Sequence, residues 1–208
     1  MAAINEFDYD VLFIGCGHAS FHGAGILNAM GKKVAFAERE VVGGTCTNFG
    51  CDAKILLDAP SELISTMNRF KGIGIQGDVS LSWPHYMGYK HALIDPLNGA
   101  MEQMFNAGNM PVIKGEAYIQ DAHTVKIGDQ TVTADKIVIG AGQSPAPLNV
   151  EGREYLYDSK DFLSLPALPE HMTFIGAGII SMEFASLVAQ LGVKATVIHH
   201  SDRPLRTY

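Results

Sequence analysis

One pattern occurs twice in this chain, and it constrains the fold more than anything else in the sequence. "YDVLFIGCGHASFHGAGILNAMGKKVAFAER" and "HMTFIGAGIISMEFASLVAQLGVKATVIHH" each open on a short apolar run, pass a Gly-x-Gly-x-x-Ser turn and continue with helical periodicity. The turn residues are Gly15, Gly17 and Ser20 in the first copy, and Gly176, Gly178 and Ser181 in the second. The helical patterns end at Gly31 and Gly192, and Lys33 and Lys194 precede a second apolar strand. Every one of these positions is offset from its counterpart by 161 residues. In such a unit the first glycine permits a tight turn and the second lets backbone approach a pyrophosphate. The third position keeps helix and strand close. The helix N-terminus then offers N–H groups and a positive dipole end to the phosphates. Serine at the third position is a small departure from the usual Gly or Ala. The repeat therefore predicts two strand–turn–helix–strand units of the dinucleotide-binding type.

The residue ending the second strand discriminates between ligands. In the first unit it is Glu38, at the spacing where an acid accepts hydrogen bonds from a ribose hydroxyl pair. In the second it is His199, followed by His200, Arg203 and Arg206. No acid stands there to repel a phosphate, so a 2′-phosphorylated cofactor, NADP rather than NAD, is favoured.

Between the repeats, "CDAKILLDAPSELISTMNRF" has helical periodicity, and "SWPHYMGYKHALIDPLNGAMEQMFNAGN" reads as a second helix interrupted or kinked near Pro96. "MPVIKGEAYIQDAHTVKIGDQTVTADKIVIGAG" reads as four short strands. The first three suggest an antiparallel meander, and "KIVIGAG" a buried strand returning to the sheet. The proline-rich, polar "QSPAPLNVEGREYLYDSKDFLSLPALPE" reads as a linker. The expected domains are residues 1–150, and 151–208 as the linker and the start of a second domain.

A net charge of −7 with no basic face argues against non-specific nucleic-acid binding. No apolar run reaches the roughly 18–20 residues of a membrane helix, and "MAAINEFDYDVLFIGCG" places acids where a signal peptide needs bases. A cytoplasmic protein, with no membrane or nucleic-acid partner, is expected. Three cysteines do not make a secreted disulfide framework. Two of them, Cys46 and Cys51, fall in "GGTCTNFGCDAK", Gly43 to Lys54. In a reducing compartment such a pair is catalytic or metal-binding more often than a structural staple. A metal site, two packed thiols and a reactive disulfide all remain readings of the spacing.

Together, the first Gly-x-Gly unit with Glu38, "GGTCTNFGC", "KIVIGAGQSPAPL" and "FIGAGIISMEFA" resemble the flavoprotein disulfide reductases, the group of glutathione reductase, lipoamide dehydrogenase and mercuric reductase. The likeness covers nearly the whole chain in the family's order. It implies an α/β fold: a Rossmann-like, three-layer FAD-binding domain with an antiparallel β-meander, followed by the start of a second, NAD(P)-binding domain. It implies FAD at Gly15, Gly17, Ser20, Glu38, Gly44, Thr45, Gly140, Ala141 and Gly142. NADPH, with NADH as the alternative, is implied at Gly176, Gly178, Ser181, His200 and Arg206. Cys46 and Cys51 become a redox-active disulfide at the flavin. By the same likeness Cys51 is the thiol nearest the flavin and Cys46 the one that attacks a substrate disulfide. Lys54, beside the flavin's reactive nitrogen, pairs with Glu183. Family members are homodimers about twice this length that act on a small disulfide or similar oxidised substrate, so the chain reads as an N-terminal piece.

A helix running out of the cysteine segment would aim its dipole at the second sulfur. A zinc site would want four ligands, and the third cysteine, Cys16, sits inside the glycine turn, where ligation would compete with phosphate. No metal is expected. Three departures from the family pattern stand out. Asp52-Ala53 replaces the usual Pro and its neighbour, and puts an acid beside the thiols. Ile179 stands where many relatives carry a tyrosine over the flavin. His18 and Gly25 replace the serine and arginine with which glutathione reductases hold their substrate, and His18 and His22 read as packing or solvent-facing residues. The alternatives to a disulfide reductase are a flavin-dependent oxidase or diaphorase, and a fragment that binds FAD without activity.

Overall fold

The computed structural model describes residues 6–206; residues 1–5, 207 and 208, at the outer ends of the two expected domains, lie outside that range. Secondary structure begins with β1 (Tyr9–Ile14), α1 (His18–Ala29) and β2 (Val34–Glu38), the first repeat unit. Then follow α2 (Gly44–Phe49), α3 (Cys51–Arg69), α4 (Trp83–Ala107) and strands β3 (Val112–Lys114), β4 (Ala117–Ile119), β5 (Thr124–Ile127) and β6 (Gln130–Ile139). A short α5 (Ser159–Phe162) precedes the second repeat unit, β7 (His171–Ile175), α6 (Ile179–Gln190) and β8 (Lys194–Ile198). The chain forms two compact units. One is built from the chain up to Asp52 together with Leu93–Val150, the other from Ala53–Ala92 together with the chain from Glu151 onward.

In the first unit six strands form one sheet in the order β3-β2-β1-β6-β5-β4. The β3-β2, β2-β1 and β1-β6 pairs are parallel; β6-β5 and β5-β4 are antiparallel. Side chains alternate across a strand, and here both faces are covered. Val11, Phe13, Val34 and Phe36 pack with Ala24 of α1 and Phe105 of α4. Leu12, Ala35 and Ala37 point the other way and pack with Val125, Ile127, Val132 and Ala134 of the meander. That explains why β2, "VAFAE", is buried at every position and reads as a continuous run rather than an alternating one.

The structure corrects the expected strands at two points. "VIK" is not part of the meander; it is β3, parallel to β2 through Phe36↔Val112 and Glu38↔Lys114. The meander is β4, β5 and the first half of β6. "TVTA" and "KIVI" are one ten-residue strand, antiparallel to β5 along its first half and parallel to β1 from Ala134 to Ile139. Its far end is also not buried, since Ile139 is 70% exposed. The helix expected to be interrupted or kinked near Pro96 is not interrupted there but runs through it. Proline removes one i→i−4 bond, and the flanking residues keep helical geometry without it.

The second unit pairs β7 and β8 in parallel, from His171↔Lys194 to Ile175↔Ile198. The stretch read as a linker is anchored here. Asp158 and Asp161 form a capping box at the start of α5. Phe162 then stacks on Phe184 of α6 with ring centroids 4.0 Å apart. Two α4 side chains hold the next carbonyls: Lys90 Nζ donates to Leu163 O at 2.8 Å, and Trp83 Nε1 donates to Leu165 O at 2.9 Å. No helix among the described residues is long and apolar enough to cross a membrane.

Candidate functional site

The first glycine turn is closed by three backbone segments. Gly15 has φ +100°, and a Cβ there would lie 2.2 Å from Gly140 O, so β1 and β6 meet at a point where only glycine fits. Gly140 N–H donates to Ile14 O at 2.8 Å. Ser20 is fully buried, and a Cβ on Gly140 would lie 2.2 Å from its Oγ. The third motif residue thus keeps helix and strand close, as the spacing predicts. Its hydroxyl is an orphan, with no hydrogen-bond partner among the described residues. On the other side, Gly43 forms a parallel bridge with Gly17, and a Cβ on Gly44 would lie 2.9 Å from Gly17 Cα.

α1 starts from Gly17 with no side-chain cap and no acid in its first turn, which leaves the N–H groups of that turn without an acid of their own. Glu38, 8% exposed, accepts Cys16 N–H on Oε2 and Glu40 N–H on Oε1, both at 2.8 Å. The carboxylate is therefore fixed at the end of β2 and retains lone pairs for a further donor. Ala141 and Gly142 follow β6 at the surface, and Thr45 is exposed on α2. The set fits a dinucleotide: a glycine-only cradle, an open helix N-terminus and an oriented acid.

The cysteine segment is built onto this cradle. α2 begins at Gly44, the residue against Gly17, and carries Cys46. Buried Asn48 ties it back, its amide donating to Val42 O at 2.9 Å and Gly44 O at 3.0 Å. Gly50 then permits the tight passage to α3, because a Cβ there would lie 2.8 Å from Thr45 O. Asn48 is thus the lock on this segment, a role that the sequence alone did not assign. His18 Nε2 lies 3.1 Å from Thr47 Oγ1 and its ring packs on Phe21 and His22. That is a packing role for His18.

Cys46 and Cys51 are free thiols, Cys46 partly buried and Cys51 exposed. The Cys46 thiol is pushed up to about 11, by burial first, then by the Cys51 thiol, with Asp52 adding in the same direction. Cys16 is pushed up to about 12 by burial and the Glu38 carboxylate, which makes it an inert packed thiol. Among the described residues no three His, Cys, Asp or Glu side chains converge as a metal site would need.

In the second unit Lys54 Nζ donates to both carboxylate oxygens of Glu183 at 2.9 Å, joining positions 129 residues apart. The pair lines an open cavity of about 320 Å³ with Ile179, Met182 and Leu205. The second glycine turn has Gly176 at φ +97°, and α6 starts from Gly178 without a side-chain cap or an acid in its first turn. Leu205, at φ +51°, donates its N–H to Ala177 O at 2.9 Å. The loop that carries His200, Arg203 and Arg206 is thereby folded back against this turn, with all three side chains exposed. Ser181 is half-buried, unlike Ser20.

Comparison with known proteins agrees with this geometry. The chain is 33% identical to a glutathione reductase of Nostoc sp. over 97% of its own length and 44% of that protein's. It is 36% identical to a mercuric reductase of Lysinibacillus sphaericus over its full length and 39% of that protein's. A dihydrolipoyl dehydrogenase of Mycoplasma pneumoniae is 29% identical, with 46% of its length covered. The chain thus spans less than half the length of these relatives. Among solved structures, the HOCl-induced flavoprotein disulfide reductase RclA from Escherichia coli superposes with a TM-score of 0.78 at 26% identity, covering 91% of this chain and 41% of that one. With residues 9–208 matching the family described as pyridine nucleotide-disulphide oxidoreductase, the chain belongs to that family.

Proposed function

We propose that the chain is the FAD- and disulfide-bearing part of an NAD(P)H oxidoreductase that reduces a disulfide or a related oxidised substrate through Cys46 and Cys51. The observation that carries this reading is the shared backbone contact between the dinucleotide cradle and the cysteine helix, Gly44 of α2 against Gly17. It puts two cysteines on the segment that walls the cradle, Cys46 on α2 and Cys51 at the start of α3. When bound there, FAD supplies two-electron chemistry between a nicotinamide and a thiol pair.

The chain's own residues supply the rest. Gly15, Gly17, Ser20, Gly44, Thr45 and the Gly140-Ala141-Gly142 segment shape the cradle, and Glu38 orients a ribose. Lys54, held by Glu183, presents a cation where negative charge develops on a reduced cofactor. Gly176, Gly178 and Ser181 receive a nicotinamide dinucleotide, and the cationic His200 and Arg206 favour a 2′-phosphate. Residues 1–150 serve the flavin, and 151–208 open the nicotinamide domain. The reductase acts as a cytoplasmic homodimer on a small oxidised substrate; glutathione is disfavoured, since His18 and Gly25 stand where glutathione reductases carry a serine and an arginine.

Anaerobic labelling tests the reading. The full-length, flavin-loaded protein is treated with NADPH, quenched with iodoacetamide and mapped by mass spectrometry. Cys46 and Cys51 should become labelled only after NADPH, and together. Labelling that is independent of NADPH, or confined to one of the two, would sink the proposal.

A further inference from the structure

His18 does more than pack. It is the first residue of α1, and its Nε2 lies 3.1 Å from Oγ1 of Thr47, the residue after Cys46 on α2. A hydroxyl both donates and accepts, so this bond forms in either imidazole tautomer. Thr47 is buried, 3% exposed, and Gly43 confines its side chain from another side, since a Cβ there would lie 3.0 Å from Thr47 Cβ. Gly43 is itself tied to the glycine turn. Its N–H donates to Cys16 O at 2.9 Å, and it bridges Gly17. Cys46 thus stands between two ties to the cradle. The backbone tie at Gly43 and Gly44 fixes where α2 begins. The His18–Thr47 tie fixes how α2 turns about its own axis. Asn48 does not do this, because its amide bonds Val42 and Gly44 of its own segment. A helix of 6 residues has few internal bonds with which to hold that rotation alone.

We propose that His18 is a positioning residue for Cys46: through Thr47 it sets the rotation of α2, and with it the direction from which the Cys46 sulfur meets a substrate. The proposal rests on the reading of Cys46 and Cys51 as the reacting pair. In that reaction the Cys46 thiolate bonds to one substrate sulfur, the substrate S–S bond breaks, and the departing sulfur takes up the proton Cys46 lost. Cys51 then attacks Cys46 Sγ, closing the Cys46–Cys51 disulfide, and its proton goes to the second substrate thiol as that leaves. The dithiol is oxidised by two electrons and the substrate reduced by two. The first step is the one that His18 serves, because attack on a disulfide depends on the line of approach to the sulfur.

Two measurements with opposite expected signs test this. In the reduced chain carrying Cys51→Ser, iodoacetamide labelling of Cys46 and of fully buried Cys16 is followed by mass spectrometry. Losing the tie should speed labelling of partly buried Cys46 in His18→Ala by about three- to tenfold. Cys16, which answers to opening of the sheet, should keep its rate. Thr47→Val cuts the same bond without uncovering α2 and should match His18→Ala, and the double variant should add nothing further. His18→Gln, whose amide nitrogen still reaches, should recover most of the slow rate. In the flavin-loaded full-length enzyme, His18→Ala should slow transfer from NADPH-reduced protein to dithiobis(nitrobenzoate), a small aromatic disulfide, by about tenfold. Flavin reduction by NADPH should be unchanged. A segment that was merely uncovered would label faster and also reduce the disulfide faster. Unchanged labelling of Cys46, a parallel rise at Cys16, additive effects of the two substitutions, no recovery with Gln, or disulfide reduction as fast as the parent's would overturn the proposal. Should His18→Ala fail to fold, Thr47→Val carries both measurements. A parent enzyme that does not reduce the disulfide would sink the reductase reading; labelling uses neither flavin nor nicotinamide and still decides the tie.

Discussion

Replacing Gly15 by alanine tests whether the nucleotide cradle is closed by backbone contact, and Gly140 with Ser20 supplies the control. At Gly15 two costs combine. Its φ of +100° is one that an L side chain rarely adopts, and the new Cβ would lie 2.2 Å from Gly140 O and 2.8 Å from Gly140 C. Those atoms belong to the end of β6, held to β1 by the Gly140 N–H to Ile14 O bond of 2.8 Å. They retreat only if the two central strands part. Left-handed backbone costs about 1–2 kcal/mol and overpacking against a rigid neighbour about 1–3, so Gly15→Ala should destabilise by about 2–5 kcal/mol. At Gly140 the obstacle is different: the added Cβ would meet Ser20 Oγ at 2.2 Å but Ser20 Cβ at an ordinary 3.5 Å. Gly140→Ala should cost about 1–2 kcal/mol, and Ser20→Ala should relieve it. Ser20→Ala alone should be neutral or stabilising by about 1 kcal/mol, since it removes a buried hydroxyl with no partner among the described residues. Urea unfolding followed by far-ultraviolet circular dichroism, with unchanged m-values, gives the four stabilities of each double-mutant cycle. Strong coupling is expected for Gly140→Ala with Ser20→Ala, and additivity within about 0.5 kcal/mol for Gly15→Ala with Ser20→Ala. A cost below about 1 kcal/mol for Gly15→Ala, or equal rescue of both by Ser20→Ala, would refute this account of the cradle.

Lys54→Met should change stability by less than about 1 kcal/mol, because both partners of the Lys54–Glu183 pair are at least one-third exposed. In the flavin-loaded full-length enzyme it should slow reduction by NADPH about 10²-fold; a stopped-flow rate equal to the parent's would contradict the assigned role. Cys16 gives a pH signature. Its thiol moves from an ordinary 9.0 to about 12 in the folded chain. Between those values the unfolded chain loses its proton first, so stability is unaffected below about pH 9 and falls as pH rises above it, by up to about 1.4 kcal/mol per unit. Cys16→Ala should flatten most of that fall, leaving the smaller part due to Cys46; an unchanged slope in urea midpoints against pH would count against it.

The parts of this molecule that were legible in the sequence are those whose determinants are local and repeated. Gly15, Gly17 and Ser20, with the apolar runs around them, specify strand, turn and helix within one short segment, and Gly176, Gly178 and Ser181 do so again. The contact between Lys54 and Glu183 was accessible only because both lie in recognisable motifs; their spacing of 129 residues carries no local signal. What escaped sequence reasoning depends on partners that are distant in the chain. "VIK" alternates like a meander strand, yet Phe36 and Glu38 offer it a parallel edge, and that edge decides its place. Phe162 lies in a proline-rich stretch that looks like a linker, and only Phe184, Trp83 and Lys90 turn it into an anchor. The same motif even has different tolerances in its two copies. Around Gly15 a side chain has no room, whereas nothing among the described residues lies within 4 Å of a Cβ on Gly176 or Gly178. At Gly176 the φ of +97° alone calls for glycine. Two identical letters thus carry a steric demand in one unit and a conformational one in the other. The difference is set by β6, which returns to lie against Gly15 and has no counterpart beside β7 among the described residues.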